Sequence, residues 1–375
     1  RATSCATSAF CAGANLAQQG LNCQSVKKNE RNLASYLRSL GQVLNFEDCF
    51  WMGGRLATNL QEISNDPAVL DDGRFWAVVI TFEGTKTFAR FENVVEAPFP
   101  ETLGKGFTTS WKASSTSNGY TEYVDEIRSL IANGTVYQVN ACYELVNISA
   151  DPDSNLAGIF TRLLQGNPAP FAQYLKIPKL EIASASPERF LSREGDSILT
   201  SPIKGTIRGE DTSFGEKDKA ENLMIVDLMR NDLGKICCDG SVEVSELFRT
   251  EVHPGLTHLV SDVRGTLRAG VKWREIFDAL TPAGSVSGAP KSSALKVIAE
   301  NEAIKRGPYC GVLGWVQGDR AELSVAIRIF WQEGDGFLKF GTGAGITFSS
   351  DPVAEWNETE LKAERLISIA GGTKR

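Results

Sequence analysis

Tyr137-Gln138-Val139-Asn140-Ala141-Cys142-Tyr143-Glu144-Leu145 reads as a strand: Tyr137, Val139, Ala141, Tyr143 and Leu145 share one face, and Gln138, Asn140, Cys142 and Glu144 share the other. A period of two is what an extended chain imposes on its side chains. The flanks decide the fold class. Before it, Tyr120, Tyr123, Val124, Ile127, Leu130 and Ile131 recur at helical spacing, and Gly134 is placed to end that helix. After it, a second helix is expected over about 155–165, followed by strands at Phe171–Ile177, Leu180–Ser184 and Ser197–Ile203. Helices and strands mix without regular βαβ alternation, which predicts an α+β fold with large antiparallel β-sheets.

Working outward, an apolar helix is expected from about Asp218 to Lys235, with later helices near Trp273–Leu280 and Lys291–Ile304. Strands are expected at Tyr309–Val316, Leu323–Phe330 and Phe337–Gly341. The last helix opens with Asp351 as cap and Pro352 at its first position. Upstream, Phe50–Met52, Phe75–Phe82 and Phe88–Phe91 read as strands. Pro98, Pro100 and the Ser/Thr-rich stretch 108–117 read as a linker. The expected organisation is therefore an N-terminal extension over 1–44, a small subdomain over 45–115 and a main domain over 116–375.

Composition narrows the function. The 375 residues are 42% hydrophobic and 23% charged, with a formal net charge of -7. No Lys/Arg block stands out, which speaks against nucleic acid or an anionic membrane as partner. No stretch approaches the roughly 20 apolar residues that span a bilayer. The first 25 residues hold no cationic region followed by an apolar core, so no signal peptide is expected. The eight cysteines include no pair of C-x-x-C knuckles, which disfavours structural zinc. Free thiols and a cytoplasmic location are the expectation.

Several positions carry chemistry in principle. Gly343-Ala344-Gly345 follows a strand and would let backbone N–H groups approach an anion. Gly104-Lys105-Gly106 lacks the spacing of a phosphate-binding loop. Glu355, Glu358 and Lys362 share one helix face, as a solvated stripe or as a site. Glu221 opens the apolar helix, either as a partner of the helix dipole or as one of the carboxylates that a hard cation takes from separate elements. Arg328 interrupts an apolar strand, either as an exposed residue or as a carboxylate clamp. Of the two histidines, His253 and His258, neither belongs to a metal-type pair, and there is no Gly-x-Ser-x-Gly elbow. Lys204 ends a strand between Ile203 and Gly205. It is a surface charge unless buried, in which case a lowered pKa would make it a nucleophile.

Taken together, Ser186-Pro187-Glu188-Arg189-Phe190, Pro202-Ile203-Lys204-Gly205-Thr206, 220–232, His258-Leu259-Val260-Ser261, 284–291, Ala326-Ile327-Arg328, 343–345 and 355–362 resemble the chorismate-utilising enzymes. The order and spacing match across roughly residues 118–370. The resemblance implies a sandwich-like core of large antiparallel sheets with helices outside. It also implies Mg2+ held by Glu221 and Glu358 with Glu355 nearby. Arg328, Lys362 and the backbone of Gly343 and Gly345 would hold a carboxylate of chorismate, with His258, Ser287 and Trp315 lining the pocket. Glu188 would be the acid that protonates the leaving 4-hydroxyl.

Within that family, Lys204 in the Pro-Ile-Lys-Gly-Thr loop resembles the branch that makes 4-amino-4-deoxychorismate, in which this lysine is thought to attack C2. The anthranilate-forming branch carries Ala there. Gln138 stands where water-adding members carry a lysine base. Trp315 stands where Tyr is usual, the 206–220 segment is shorter than usual, and the Leu-Leu-Glu-Ser motif of tryptophan inhibition is absent. The branch implies ammonia from a separate glutamine amidotransferase subunit and a product bound for p-aminobenzoate and folate. The alternatives are an anthranilate synthase component I and a catalytically silent chorismate-binding subunit.

Overall fold

The computed structural model describes residues 48–100, 111–147, 155–209, 213–253 and 256–372. The expected extension over 1–44, and Gly104-Lys105-Gly106, lie outside the described residues. The described residues form one compact unit from Asp48 onward.

Among the described residues, eighteen strands join into one hydrogen-bonded network, and the pairings are antiparallel, as the α+β reading expects. Its order can be followed from edge to edge. One half runs from the hairpin Glu243–His253 and Leu256–Thr266 through Ser197–Ser201, Arg189–Glu194 and Arg320–Val325 to Val312–Gln317. The strands Phe75–Ile80, Lys86–Glu96, Arg55–Ser64 and Cys49–Met52 link it onward. The other half continues through Phe171–Ile177, Leu180–Ser186, Ile329–Gln332 and Leu338–Ile346 to Gln138–Asn147. Strands of the 48–96 region thus pair on both sides with strands from beyond residue 170, and Trp111–Ala113, inside the expected linker 108–117, is instead a strand paired with Gln138–Asn147.

Two of the places where the chain passes between the halves supply site residues. One is Pro187-Glu188, between the strands Leu180–Ser186 and Arg189–Glu194. The other is 326–328, between Arg320–Val325 and Ile329–Gln332. Hydrogen bonds tie the crossings together: Val325 N–H donates to Glu188 O at 3.1 Å and Ala185 N–H to Arg328 O at 3.0 Å. The Ser186 hydroxyl donates to Val325 O at 2.6 Å. The expected single strand 323–330 is broken here because Arg328 adopts a left-handed backbone, φ 52°, which an extended ladder does not accommodate. Likewise the expected strand 197–203 divides into Ser197–Ser201 and Ile203–Arg208.

Several predicted elements match closely. The helices Ser117–Ala132, Leu156–Gly166, Glu216–Gly234 and Trp273–Leu280 lie where periodicity puts them. Asp351 caps the helix Pro352–Ile369 by accepting from Ala354 N–H at 2.8 Å. That helix packs on the strand Leu338–Ile346, and Glu216–Gly234 lies against Ile203–Arg208 and Leu256–Thr266. Two long elements, Arg55–Ser64 and the hairpin Glu243–Thr266, were not expected. The Gln138–Asn147 strand is buried on both faces, Gln138 being 1% exposed; Gly288–Ala289 pairs with its start, and the helices Ser117–Ala132 and Lys291–Asn301 pack against it. Among the described residues no helix is long and apolar enough to cross a membrane.

Candidate active site

A cleft of about 430 Å3 opens where the two halves meet. It is lined by Glu188, Lys204, His258, Ser285, Arg328, Gly343, Gly345, Glu358, Lys362 and Arg365, among others. Glu188 and Arg328 arrive from the crossings. Lys204 comes from the strand Ile203–Arg208 and His258 from its antiparallel neighbour, with Thr206 paired to His258. The glycines belong to Leu338–Ile346. The cationic pair Lys362 and Arg365 comes from the last helix.

Glu188 is 4% exposed. Burial lifts its pKa to about 6, although a hydrogen bond from the Ser285 hydroxyl, the nearby Lys204 and the backbone N–H of Ile203 pull the other way. A carboxylic acid with that pKa is poised to give up a proton near neutrality. The Lys204 ammonium donates to Ser285 O at 3.1 Å. Burial lowers the Lys204 pKa, Glu188 and Glu221 oppose that change, and Lys362 adds to it. Lys204 therefore reaches its free-amine form more readily than a solvated lysine.

The rest of the cleft is cationic and shaped for close approach. Burial and Arg365 bring the Arg328 guanidinium down to about 10, and Lys362 pairs with Glu358 at 2.7 Å. Burial, Arg328 and His253 push His258 down to about 3. At neutral pH it is an uncharged imidazole, with Nδ1 2.8 Å from the Thr206 hydroxyl. A Cβ on Gly345 would collide with Gln138 Nε2 and stand 3.5 Å from Lys204 Nζ, and one on Gly343 would collide with Ala141 O. The strand thus needs glycine at both points to let a ligand and these groups near its backbone. Gln138 Oε1 is buried beside this spot without a hydrogen-bond partner.

Glu221 and Glu355 stand near one another: burial raises the Glu221 pKa, Lys204 and Lys217 lower it, and Asp218 and Glu355 raise it further. No group of three or more His, Cys, Asp or Glu gathers for a metal among the described residues. Mg2+, however, takes one or two carboxylates from a protein and its remaining oxygens from water and ligand. Glu221 and Glu355, on two helices, could supply those carboxylates, whereas Glu358 lines the cleft paired with Lys362 and is not gathered with them.

Two expected pocket residues lie elsewhere. Trp315 stacks on Phe75 with ring centroids 5.9 Å apart, and the Arg55 guanidinium sits 4.0 Å from its ring. It lines a separate depression with Arg189 and Arg249 rather than the cleft that holds Lys204. Ser287 is fully buried, and its hydroxyl donates to Ala283 O at 2.9 Å, closing the turn before it. Sequence reasoning missed Ser285, which bridges Glu188 and Lys204, and Arg365, which joins Arg328. Ser285 lies in the 284–291 run that carries the resemblance, but no feature of that run singled it out from Ser287. Arg365 was detectable, three residues beyond Lys362 on the same helix.

Fold and site together define a cationic cleft lined by a buried acid, Glu188, and a half-buried amine, Lys204. The chain belongs to the chorismate binding enzyme family, whose pattern matches residues 69–368. It is 37% identical over 283 residues to anthranilate synthase component 1 of Saccharolobus solfataricus, covering 72% of this chain and 66% of that protein. It is 34% identical over 291 residues to aminodeoxychorismate synthase component 1 of Salmonella typhimurium, covering 74% and 63%. To aminodeoxychorismate synthase component 1 of Escherichia coli it is 32% identical over 338 residues, covering 84% and 74%. The chain thus spans a little under two thirds of the first two of these relatives. In structure it resembles anthranilate synthase component I from Streptococcus pneumoniae, with a TM-score of 0.74 at 22% identity over 85% of this chain and 92% of that one.

Proposed function

We propose that the chain aminates chorismate at C4 with ammonia, giving 4-amino-4-deoxychorismate and water. The observation that carries this reading is Lys204, a half-buried lysine with a lowered pKa beside the protonatable Glu188 in one cleft. Binding comes first. Arg328, Lys362 and Arg365 supply positive charge for the two carboxylates of chorismate, and the backbone at Gly343 and Gly345 lets a carboxylate approach. Glu221 and Glu355 would hold Mg2+, which when bound neutralises the ring carboxylate and helps orient it.

The free amine of Lys204 then attacks ring carbon 2. Both conjugated ring double bonds shift, from C1–C2 to C1–C6 and from C5–C6 to C4–C5, the C4–O bond breaks, and the proton of Glu188 goes to the departing oxygen, which leaves as water. Ammonia attacks C4, the electrons return, and the C2–N bond breaks to restore the Lys204 amine. The carboxylate of Glu188 takes the proton that the new C4 ammonium gives up. His258 stays neutral and accepts from or donates to Thr206, which fixes its ring. Ammonia is proposed to come from a glutamine amidotransferase partner, in keeping with relatives named as component 1 of their synthases.

A second reading has one observation in its favour: relatives named anthranilate synthase are as similar to this chain as those named aminodeoxychorismate synthase. Product analysis separates the two. The chain is incubated with chorismate, Mg2+ and ammonium, and 4-amino-4-deoxychorismate is the expected product. Anthranilate with pyruvate as the main product would sink the first reading and establish the second.

A further inference from the structure

Outside the cleft, one buried ion pair touches two segments that build it. The side chains of Arg306 and Glu302 are 3% and 7% exposed and pair at 2.6 Å. The guanidinium of Arg306 uses both ends: Nε and Nη2 face Glu302, Nη1 donates to Val286 O at 2.9 Å, and Nη2 also donates to Asn140 O at 2.6 Å. Glu302 in turn accepts from Cys142 N–H at 3.0 Å. The Phe82 ring closes one face of the guanidinium at 4.2 Å. Arg306 is therefore bonded at once to the strand Gln138–Asn147 and to the turn Gly284–Val286.

That turn carries Ser285, whose carbonyl accepts from Lys204 and whose hydroxyl donates to Glu188. We propose that Arg306 is a positioning residue: by holding Val286 and Asn140 together, it sets Ser285 at the spacing that lets one residue serve both the acid and the amine. The proposal rests on the reading of Glu188 and Lys204 given above. It assigns Arg306 no contact with substrate. The logic is geometric. A guanidinium offers donors in a fixed fork, so two carbonyls from different segments cannot drift apart without losing a bond. Removing the fork leaves the turn joined to that strand through Asn140 N–H to Ser287 O at 2.9 Å, two residues past Ser285, and frees the Val286 carbonyl next to Ser285.

The test reads Lys204 directly and without substrate. The pH dependence of its acylation by a small anhydride, followed by peptide mass spectrometry, gives its titration. Glu188, Glu221, Lys362 and Cys310 are the groups that act on it, and none is altered. Two variants are used, because breaking a buried pair on one side leaves an uncompensated charge: Arg306→Lys, and Arg306→Met combined with Glu302→Gln, which removes both charges and keeps an acceptor for Cys142. In the double variant the Lys204 pKa is expected to fall by about one unit, the worth of a lost hydrogen bond to a charged group. Its kcat is expected to fall by about a hundredfold with KM within a few-fold, the pattern of lost positioning. Arg306→Lys should recover part of both. A folded double variant with the wild-type Lys204 titration and kcat overturns the proposal. If the double variant does not fold, unchanged values in Arg306→Lys overturn it equally. Unchanged turnover in Lys204→Ala would instead defeat the proposed function and leave the Lys204 titration to judge the clamp.

Discussion

Glu188 and Lys204 are joined through a single residue: the Ser285 hydroxyl donates to the Glu188 carboxylate, and the Ser285 carbonyl accepts from the Lys204 ammonium at 3.1 Å. The strand crossing that brings Glu188 in and the strand that carries Lys204 belong to different parts of the sheet network. Only the folded chain puts an acid and an amine on one serine. Burial moves both pKa values toward neutrality from opposite sides, which is the arrangement acid–base and nucleophilic chemistry require at the same pH.

Glu188→Gln is expected to lower kcat by about 10²–10⁴-fold, the usual worth of a general acid. It also has a stability consequence with a definite sign. The native pKa, about 6, lies above the ordinary 4.5. Between these values the native state holds a proton that the unfolded chain has released, so wild-type stability falls as pH rises through that window. The loss amounts to about 2 kcal/mol above it. The Gln variant escapes that loss. Its Tm should exceed that of wild type at pH 8 and match it at pH 4, by scanning calorimetry; equal Tm differences at the two pH values would contradict the raised pKa.

Gly345→Ala and Gly343→Ala should fail differently. At Gly345 the new methyl meets the movable ends of Gln138 and Lys204, so the fold should tolerate it while turnover falls. At Gly343 it meets the fixed carbonyl of Ala141, so the paired strands must shift, at a cost of about 1–3 kcal/mol. Denaturant melts beside kcat measurements distinguish the two; a destabilised Gly345→Ala with full activity would refute the placement of Lys204.

His258 should stay neutral through the working range. Its native pKa, about 3, lies below the ordinary 6.5, so its burial costs nothing above pH 6.5 and costs stability as pH falls from 6.5 toward 3. NMR of the imidazole carbon protons should show no titration of His258 between pH 5 and 8. A midpoint in that range would mean that the ring is charged beside Arg328.

Arg328→Lys should raise KM for chorismate by about 10- to 100-fold with a smaller effect on kcat, since a planar two-point clamp becomes a point charge. Steady-state kinetics at fixed ionic strength measure it. A fall in kcat with unchanged KM would place Arg328 in the chemical step instead.

Much of this was legible in the residues, for identifiable reasons. Amphipathic helices such as Trp273–Leu280 and the capped helix at Asp351 announce themselves through period and cap chemistry. The hairpin Glu243–Thr266 did not, because its first strand is largely polar and exposed, so no alternation marks it. The break at Arg328 is hidden inside an apolar run, since a left-handed φ leaves no trace in composition. Glu188, Lys204, His258, Arg328, Glu358 and Lys362 were named from motifs and do line one cleft. Trp315 and Ser287 were named the same way and do not, because a motif fixes position along the chain and not the face to which a side chain turns. The bonds from Lys204 to the Ser285 carbonyl and from Arg306 to the Val286 and Asn140 carbonyls run to the backbone, and that kind of contact has no signature in one sequence.

The central claim is a covalent role for Lys204, and one measurement addresses it most directly. The chain is mixed with chorismate and Mg2+ in the absence of ammonia, quenched rapidly, digested and mapped by mass spectrometry. The account predicts a peptide containing Lys204 that is heavier by chorismate less one water, absent in Glu188→Gln and discharged when ammonium is added before the quench. An unmodified Lys204 peptide, together with wild-type amination by Lys204→Ala, would contradict it.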